Sequence, residues 1–315
     1  PVFFVSAVLV VFFVVGTIMF PDHASAGLSG AKAFAINHFD WLFMAGGNVF
    51  VLFCLALIVL PVGRIRLGGD GARPEFSTLS WFAMLFAAGM GIGLMFWSVA
   101  EPLAYYTDWY GTPLGVEPET KAAVSKALGA TMFHWGLHPW AIYALVGLSL
   151  AFFAYNHKMP LTIRSAFYPL LGERCWGWMG HVIDTLAVLA TIFGLATSLG
   201  LGAQQAASGL AFLFDVPATL NTQIAIITGV TAVAVISVMR GLEGGVKLLS
   251  NFNMILAVLL LLFVILIGSG IGIVGDVFQT AGAYVANIIP LSNWVGREDE
   301  TWFHGWTVFY WGWFL

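Results

Sequence analysis

Charge is scarce in this sequence: Asp, Glu, Lys and Arg together make up only 9% of its 315 residues. An ordinary soluble domain carries about a quarter, so that class is excluded. Basic runs interleaved with aromatics are missing, which argues against a nucleic-acid partner. Only two cysteines occur. Cys54 falls in an apolar stretch and Cys175 in a polar one, so no disulfide framework is implied. No HExxH, GxSxG or GxxxxGK[ST] pattern is present, and an enzyme is not expected. Nor does any period of about 20 to 50 residues recur.

What is abundant is apolar side chain. Hydrophobic residues reach 60% and the mean hydropathy is +0.90, the values of an all-α polytopic membrane protein. About 20 apolar residues make one helical span. Such runs lie at residues 2–20, 41–61, 79–106, 128–155, 182–214, 224–239 and 252–274, and an eighth begins near Trp302. The chain opens on Pro1 with no basic segment before its first apolar run, so that run reads as a retained span with an N-terminal segment missing. Leu315 lies within an aromatic run, and the natural protein is expected to continue. Thirteen tryptophans and 27 phenylalanines exceed the needs of interfacial belts, so some aromatics should line the bundle interior.

Basic residues set the orientation. Arg64, Arg66, Arg73, Lys158, Arg164, Arg174, Arg240 and Lys247 fall on one side, while Lys32, Lys121, Lys126 and Arg297 fall on the other. The two-to-one bias places the N-terminus in the cytoplasm. Between spans seven and eight, Val277, Phe278, Ala281, Tyr284, Val285 and Ile288 recur at intervals suited to an amphipathic helix. Such a helix lies in the membrane interface, meets another subunit, or packs on its own bundle. The domains then read as residues 1–76, two N-terminal spans; 77–274, five spans; 275–300, the amphipathic helix and loop; and 301–315, the start of span eight.

Three stretches carry candidate chemistry. The third span contains Gly89-Met90-Gly91-Ile92-Gly93, and each glycine weakens a helix by about 1 kcal/mol relative to alanine. Either Gly89 and Gly93 let two helices pack closely, or the helix breaks where a cavity satisfies its backbone. In the fourth span Trp135, Trp140 and Tyr143 share one helical face. They either fill core space or form a cage, since aromatic faces attract a desolvated cation by about 2 kcal/mol. His134 and His138 are four apart, but no third ligand stands beside them. Hydrogen bonding across helices is their expected use, with Pro139 loosening the backbone behind them. The fifth span holds Thr191, Thr197, Ser198, Gln204 and Gln205, which either ligate a small hard cation or bond between helices. Glu101, Asp184 and Asp40 lie near span ends, where carboxylates reach water.

Taken together, Gly89-Met90-Gly91-Ile92-Gly93-Leu94-Met95-Phe96 with Glu101-Pro102, His134-Trp135-Gly136 with Trp140, and Trp306-Thr307-Val308-Phe309-Tyr310-Trp311-Gly312-Trp313 resemble the betaine/choline/carnitine transporter family, the sodium-coupled glycine betaine type above all. The resemblance implies a twelve-span inverted-repeat fold with broken helices, of which this chain would hold the first repeat, two preceding helices and the start of span eight. It also implies a homotrimer in the inner (cytoplasmic) membrane. By the same resemblance, Trp135, Trp140 and Tyr143, with Trp311 and Trp313, enclose an onium headgroup, and Met90, Gly91 and Gly93 contact substrate. Ala87 and Met90 would offer carbonyls to sodium. Proton-coupled choline carriers of the family have an aspartate where this chain has Gly93. A second sodium site in the family uses two threonines one turn apart; here Thr191 is followed by Leu195. Phe314 stands where many members have another tryptophan. The implied activity is sodium-coupled import of glycine betaine, the alternatives being a proton-coupled choline symporter and an ion-independent antiporter.

Overall fold

Inside hydrocarbon a backbone must satisfy its own N–H and C=O groups, so long apolar runs become helices. A computed structural model describes residues 1–89, 91–268 and 270–314, and also leaves the side chains of Ile92 and Ile271 undescribed. Its helices are α1 Val2–Met19, α2 Pro21–Val59, α3 Thr78–Gly89, α4 Ile92–Tyr106, α5 Lys121–Trp135, α6 Leu137–Ala151, α7 Ile163–Ala166, α8 Tyr168–Leu171, α9 Trp178–Phe214, α10 Leu220–Met239, α11 Lys247–Ile267, α12 Ile271–Ser292, α13 Glu300–Trp302 and α14 Phe309–Phe314. Among the described residues, six helical segments are long and apolar enough to cross a membrane, and the bent pair Thr78–Gly89 with Gly93–Tyr106 makes a seventh. The all-α polytopic class holds.

Several boundaries differ from the hydropathy reading. The second helix starts at Pro21 rather than near 41 and runs for 39 residues, about 58 Å at 1.5 Å per residue. Pro21 sits in its first turn, where a missing N–H costs nothing. Asp22, His23, Lys32 and His38 lower the local hydropathy without opposing a helix, so hydropathy alone reads this stretch as a loop. Lys32 therefore stands on a helix, its ammonium 4.3 Å from the Phe309 ring centroid. The fourth span begins earlier because Thr120 caps α5, its side chain accepting from the Ala123 N–H at 3.1 Å. The seventh ends at Ile267, and α12 takes over from Ile271.

The chain divides into two compact units. One comprises Arg73–Leu103 and Leu195–Gly282. Within it α3 packs along α11, where the Asn251 amide donates to Ser80 Oγ at 3.5 Å. Glu101, expected to reach water, is fully buried.

The other unit comprises Pro1–Ala72, Ala104–Gly194 and Ala283–Leu315. Here α2 packs against α1 and α6. The α12 residues Tyr284, Asn287 and Leu291, spaced three and four, are buried, whereas Val285 and Ile289 remain exposed. This helix approaches α5 closely, because a Cβ at Gly129 would lie 3.1 Å from the Ala283 backbone. Asn287 also accepts a hydrogen bond from Lys126.

Asp184 is held rather than solvated. It accepts from Arg164 Nε at 2.5 Å and from the Arg164 backbone N–H at 3.0 Å. Nearby Cys175 is buried, and this pushes its thiol above the ordinary value against the pull of Arg164. Both cysteines are free.

Candidate functional site

Pro139 dictates the local geometry of the fourth span. Its ring would meet the carbonyl four residues back, and the helix breaks there: α5 ends at Trp135, Gly136 leaves helical geometry (φ −96°, ψ −131°) and α6 begins at Leu137. The N–H freed at Leu137 donates to the Tyr284 hydroxyl at 3.1 Å. A broken membrane helix is tolerated when neighbouring groups satisfy its backbone in this way.

Below and above this break lie the predicted aromatic residues. Trp135 meets Tyr310 edge-on at 5.7 Å and Phe314 at 5.9 Å. Tyr143 reaches the same Phe314 at 6.3 Å. Trp140 and Tyr143 lie 6.1 Å apart with 44% and 54% of their surfaces open, so their ring faces are available. Trp313 stacks on Phe314 at 6.0 Å with 7° between planes. Phe314 thus joins Trp135, Tyr143, Trp311 and Trp313. In the sequence Phe314 stands out only as a departure from the family pattern, because nothing local reveals that one ring bridges spans four and eight.

Trp311 has a different setting. It is fully buried, stacked on His138 at 5.5 Å and 12°, and close to Phe133 and His134. Gly47 borders this stack, and a Cβ there would lie in ordinary contact, 3.6 Å from the His138 ring and 3.8 Å from Trp311.

The two histidines bond across helices, as their spacing suggests. His134 bridges the Tyr105 hydroxyl and Thr307 Oγ1, each at 2.9 Å. His138 Nε2 is 2.9 Å from Asn48 Oδ1 and 3.3 Å from Ser292 Oγ. Thr307 is delivered by a π-helical turn, Phe303–Val308, at the start of span eight. Such turns are frequent at functional positions.

The third-span residues belong to the other unit. Among them Met90 lies outside the described residues. Ala87 is near the end of α3, which stops at Gly89, while α4 starts at Ile92; the two pieces are bent by 58°. The last carbonyls of α3 and the first N–H groups of α4 therefore lack intrahelical partners. Gly91 is exposed and Gly93 half-buried. Thr191 is exposed, and its hydroxyl donates to the Ala187 carbonyl at 2.8 Å. That leaves its oxygen lone pairs for a cation.

Comparison with known proteins fits this arrangement. The family model described as BCCT, betaine/carnitine/choline family transporter, matches residues 1–315. The chain is 62% identical over 316 aligned residues to glycine betaine transporter 1 of Vibrio parahaemolyticus, covering all of this chain and 60% of that protein. It is 43% identical to the glycine betaine transporter OpuD of Bacillus subtilis over 94% of this chain and 58% of the relative. With the high-affinity choline transport protein of Escherichia coli the identity is 38%, over all of this chain and 46% of the relative. The chain therefore spans 60% or less of each of these proteins. With a whole-chain family match behind the broken third and fourth spans and the aromatic wall, the chain belongs to the betaine/carnitine/choline transporter family.

Proposed function

We propose that this chain forms part of a secondary carrier that imports glycine betaine, or a related onium osmolyte, together with sodium by alternating access. The observation that carries the reading is the wall of Trp135, Tyr143 and Phe314, with Trp140 beside it, on a broken helix. Rings with open faces stabilise a methylated cation that cannot donate hydrogen bonds. The N–H groups opening α4, which have no partner within that helix, suit a carboxylate tail, as half-helix N-termini do in other carriers. Carbonyls at Ala87 and Met90 are the candidate sodium ligands, and the Thr191 hydroxyl belongs to a separate candidate site, in which Leu195 stands where the family has a second threonine. The substrates for which these relatives are named, glycine betaine and choline, support an onium cargo. The protein would sit in the inner membrane with a cytoplasmic N-terminus, as a homotrimer.

Uptake of radiolabelled glycine betaine by the full-length protein in liposomes tests this directly. Accumulation driven by an inward sodium gradient, and absent without it, is the expected outcome. Uptake that follows a proton gradient would overturn the sodium assignment in favour of a proton-coupled choline type. Exchange requiring only internal substrate would overturn it in favour of an antiporter.

A further inference from the structure

A groove of about 690 Å³, sharing no residue with the aromatic wall, lies between the end of α2 and α6, within the unit Pro1–Ala72, Ala104–Gly194 and Ala283–Leu315. Its walls are apolar, formed by Phe53, Leu57, Leu145, Leu148 and Phe152, and Arg64 completes the lining. The volume falls in the roughly 300–1,000 Å³ range of small-molecule sites. Arg64 closes the short 3₁₀ turn Pro61–Arg64 that follows α2, so its guanidinium stands just past the last apolar turn of the helix. It is exposed and has no hydrogen bond or ion pair among the described residues. Four other basic side chains are engaged, Arg164 with Asp184, Arg297 with Asp299, Lys126 with Asn287 and Arg66 with the Asp70 carbonyl, and what sets Arg64 apart is its place in the lining of an apolar groove.

We propose that this groove is a site for an anionic phospholipid, with an acyl chain along its apolar walls and the phosphate against Arg64. An apolar groove gains nothing from water, which needs polar partners, whereas a lipid tail fills it with dispersion contacts. The planar guanidinium matches two phosphate oxygens at once. A zwitterionic headgroup carries its own ammonium and offsets that attraction, so charge complementarity selects the anionic lipid. Basic positions between membrane helices recognise anionic headgroups by the same physics.

Photo-crosslinking tests the site. The full-length protein is reconstituted in phosphatidylethanolamine vesicles carrying a small fraction of photoactivatable phosphatidylglycerol, and the labelled peptides are mapped. Labelling of residues 53–67 and 145–153 is expected, falling about five-fold in Arg64→Ala, the effect of one basic side chain near the headgroups. Arg64→Lys, which keeps the charge, should retain most of the labelling. Because Arg64 is exposed and makes no hydrogen bond or ion pair among the described residues, its replacement should leave folding intact. Equal labelling by a photoactivatable phosphatidylcholine, labelling unaffected by Arg64→Ala, or no lipid at these segments would overturn the proposal.

Discussion

Trp140 and Trp311 are both tryptophans of the proposed site, yet one lies largely open and the other fully buried. They should therefore fail differently when replaced. Trp140→Leu removes an open ring face with little packing around it. Its binding of glycine betaine, followed by calorimetry, should weaken by about 30-fold or more while the thermal midpoint stays near that of the parent. Undiminished binding would remove Trp140 from the cage. His138→Ala acts on Trp311 from beneath: it deletes the stacked ring and leaves the Asn48 amide oxygen without its partner. The expected cost is about 3 kcal/mol, combining a cavity with an orphaned polar group, visible as a lowered unfolding midpoint in detergent. Spacing alone placed Trp135, Trp140 and Tyr143 on one face. No spacing rule could place Phe314 or His138 among them, since their partners come from distant helices.

At the level of elements, a loosened backbone behind the histidines of span four is readable from Pro139, because a proline's clash with the preceding turn is a local effect, whereas the full break at Gly136 is not. Nor is the length of α2, since polar residues in a helix that packs on neighbours look like a loop to any hydropathy window. The burial of one α12 face likewise depends on a partner, and Gly129 is where the sequence prepares for it. Gly129→Leu should push α12 away from α5, because even a Cβ would crowd the Ala283 backbone. Overpacking of this kind costs about 1–3 kcal/mol. Faster hydrogen exchange around residues 283–291 would register it; exchange unchanged from the parent would show that the two helices are not tightly joined there.

On the scale of the whole unit, one arginine ties together segments far apart in sequence. Arg297 pairs with both Asp299 oxygens at 2.8 and 2.6 Å, and its Nη1 donates to the Asn293 carbonyl at 3.0 Å beyond the end of α12. Asp299 in turn accepts from the Leu114 N–H at 2.6 Å. The guanidinium lies 4.6 Å from the Phe303 ring centroid as span eight begins. Both charged side chains are only 5% exposed. Gly111 completes the junction: its φ of +90° suits glycine, and a Cβ would sit 3.0 Å from the Trp302 backbone nitrogen. Arg297→Lys keeps the charge but cannot reproduce the bidentate pair and the carbonyl bonds together. It should lower stability by about 2–3 kcal/mol, read as a drop in thermal midpoint, whereas an unchanged midpoint would mean that charge alone suffices.

The sequence by itself determined the class, the number of spans and the family likeness, because hydropathy, helical spacing and proline or glycine breaks are properties of neighbouring residues. Tertiary structure alone decided that Phe314 joins spans four and eight, that Trp311 is packed on His138, that Asp184 is paired and Glu101 buried, and that Arg64 lines an apolar groove. Each of these depends on side chains brought together from distant parts of the chain. Burial, pairing and the shape of a cavity belong to those meetings, which no local pattern encodes.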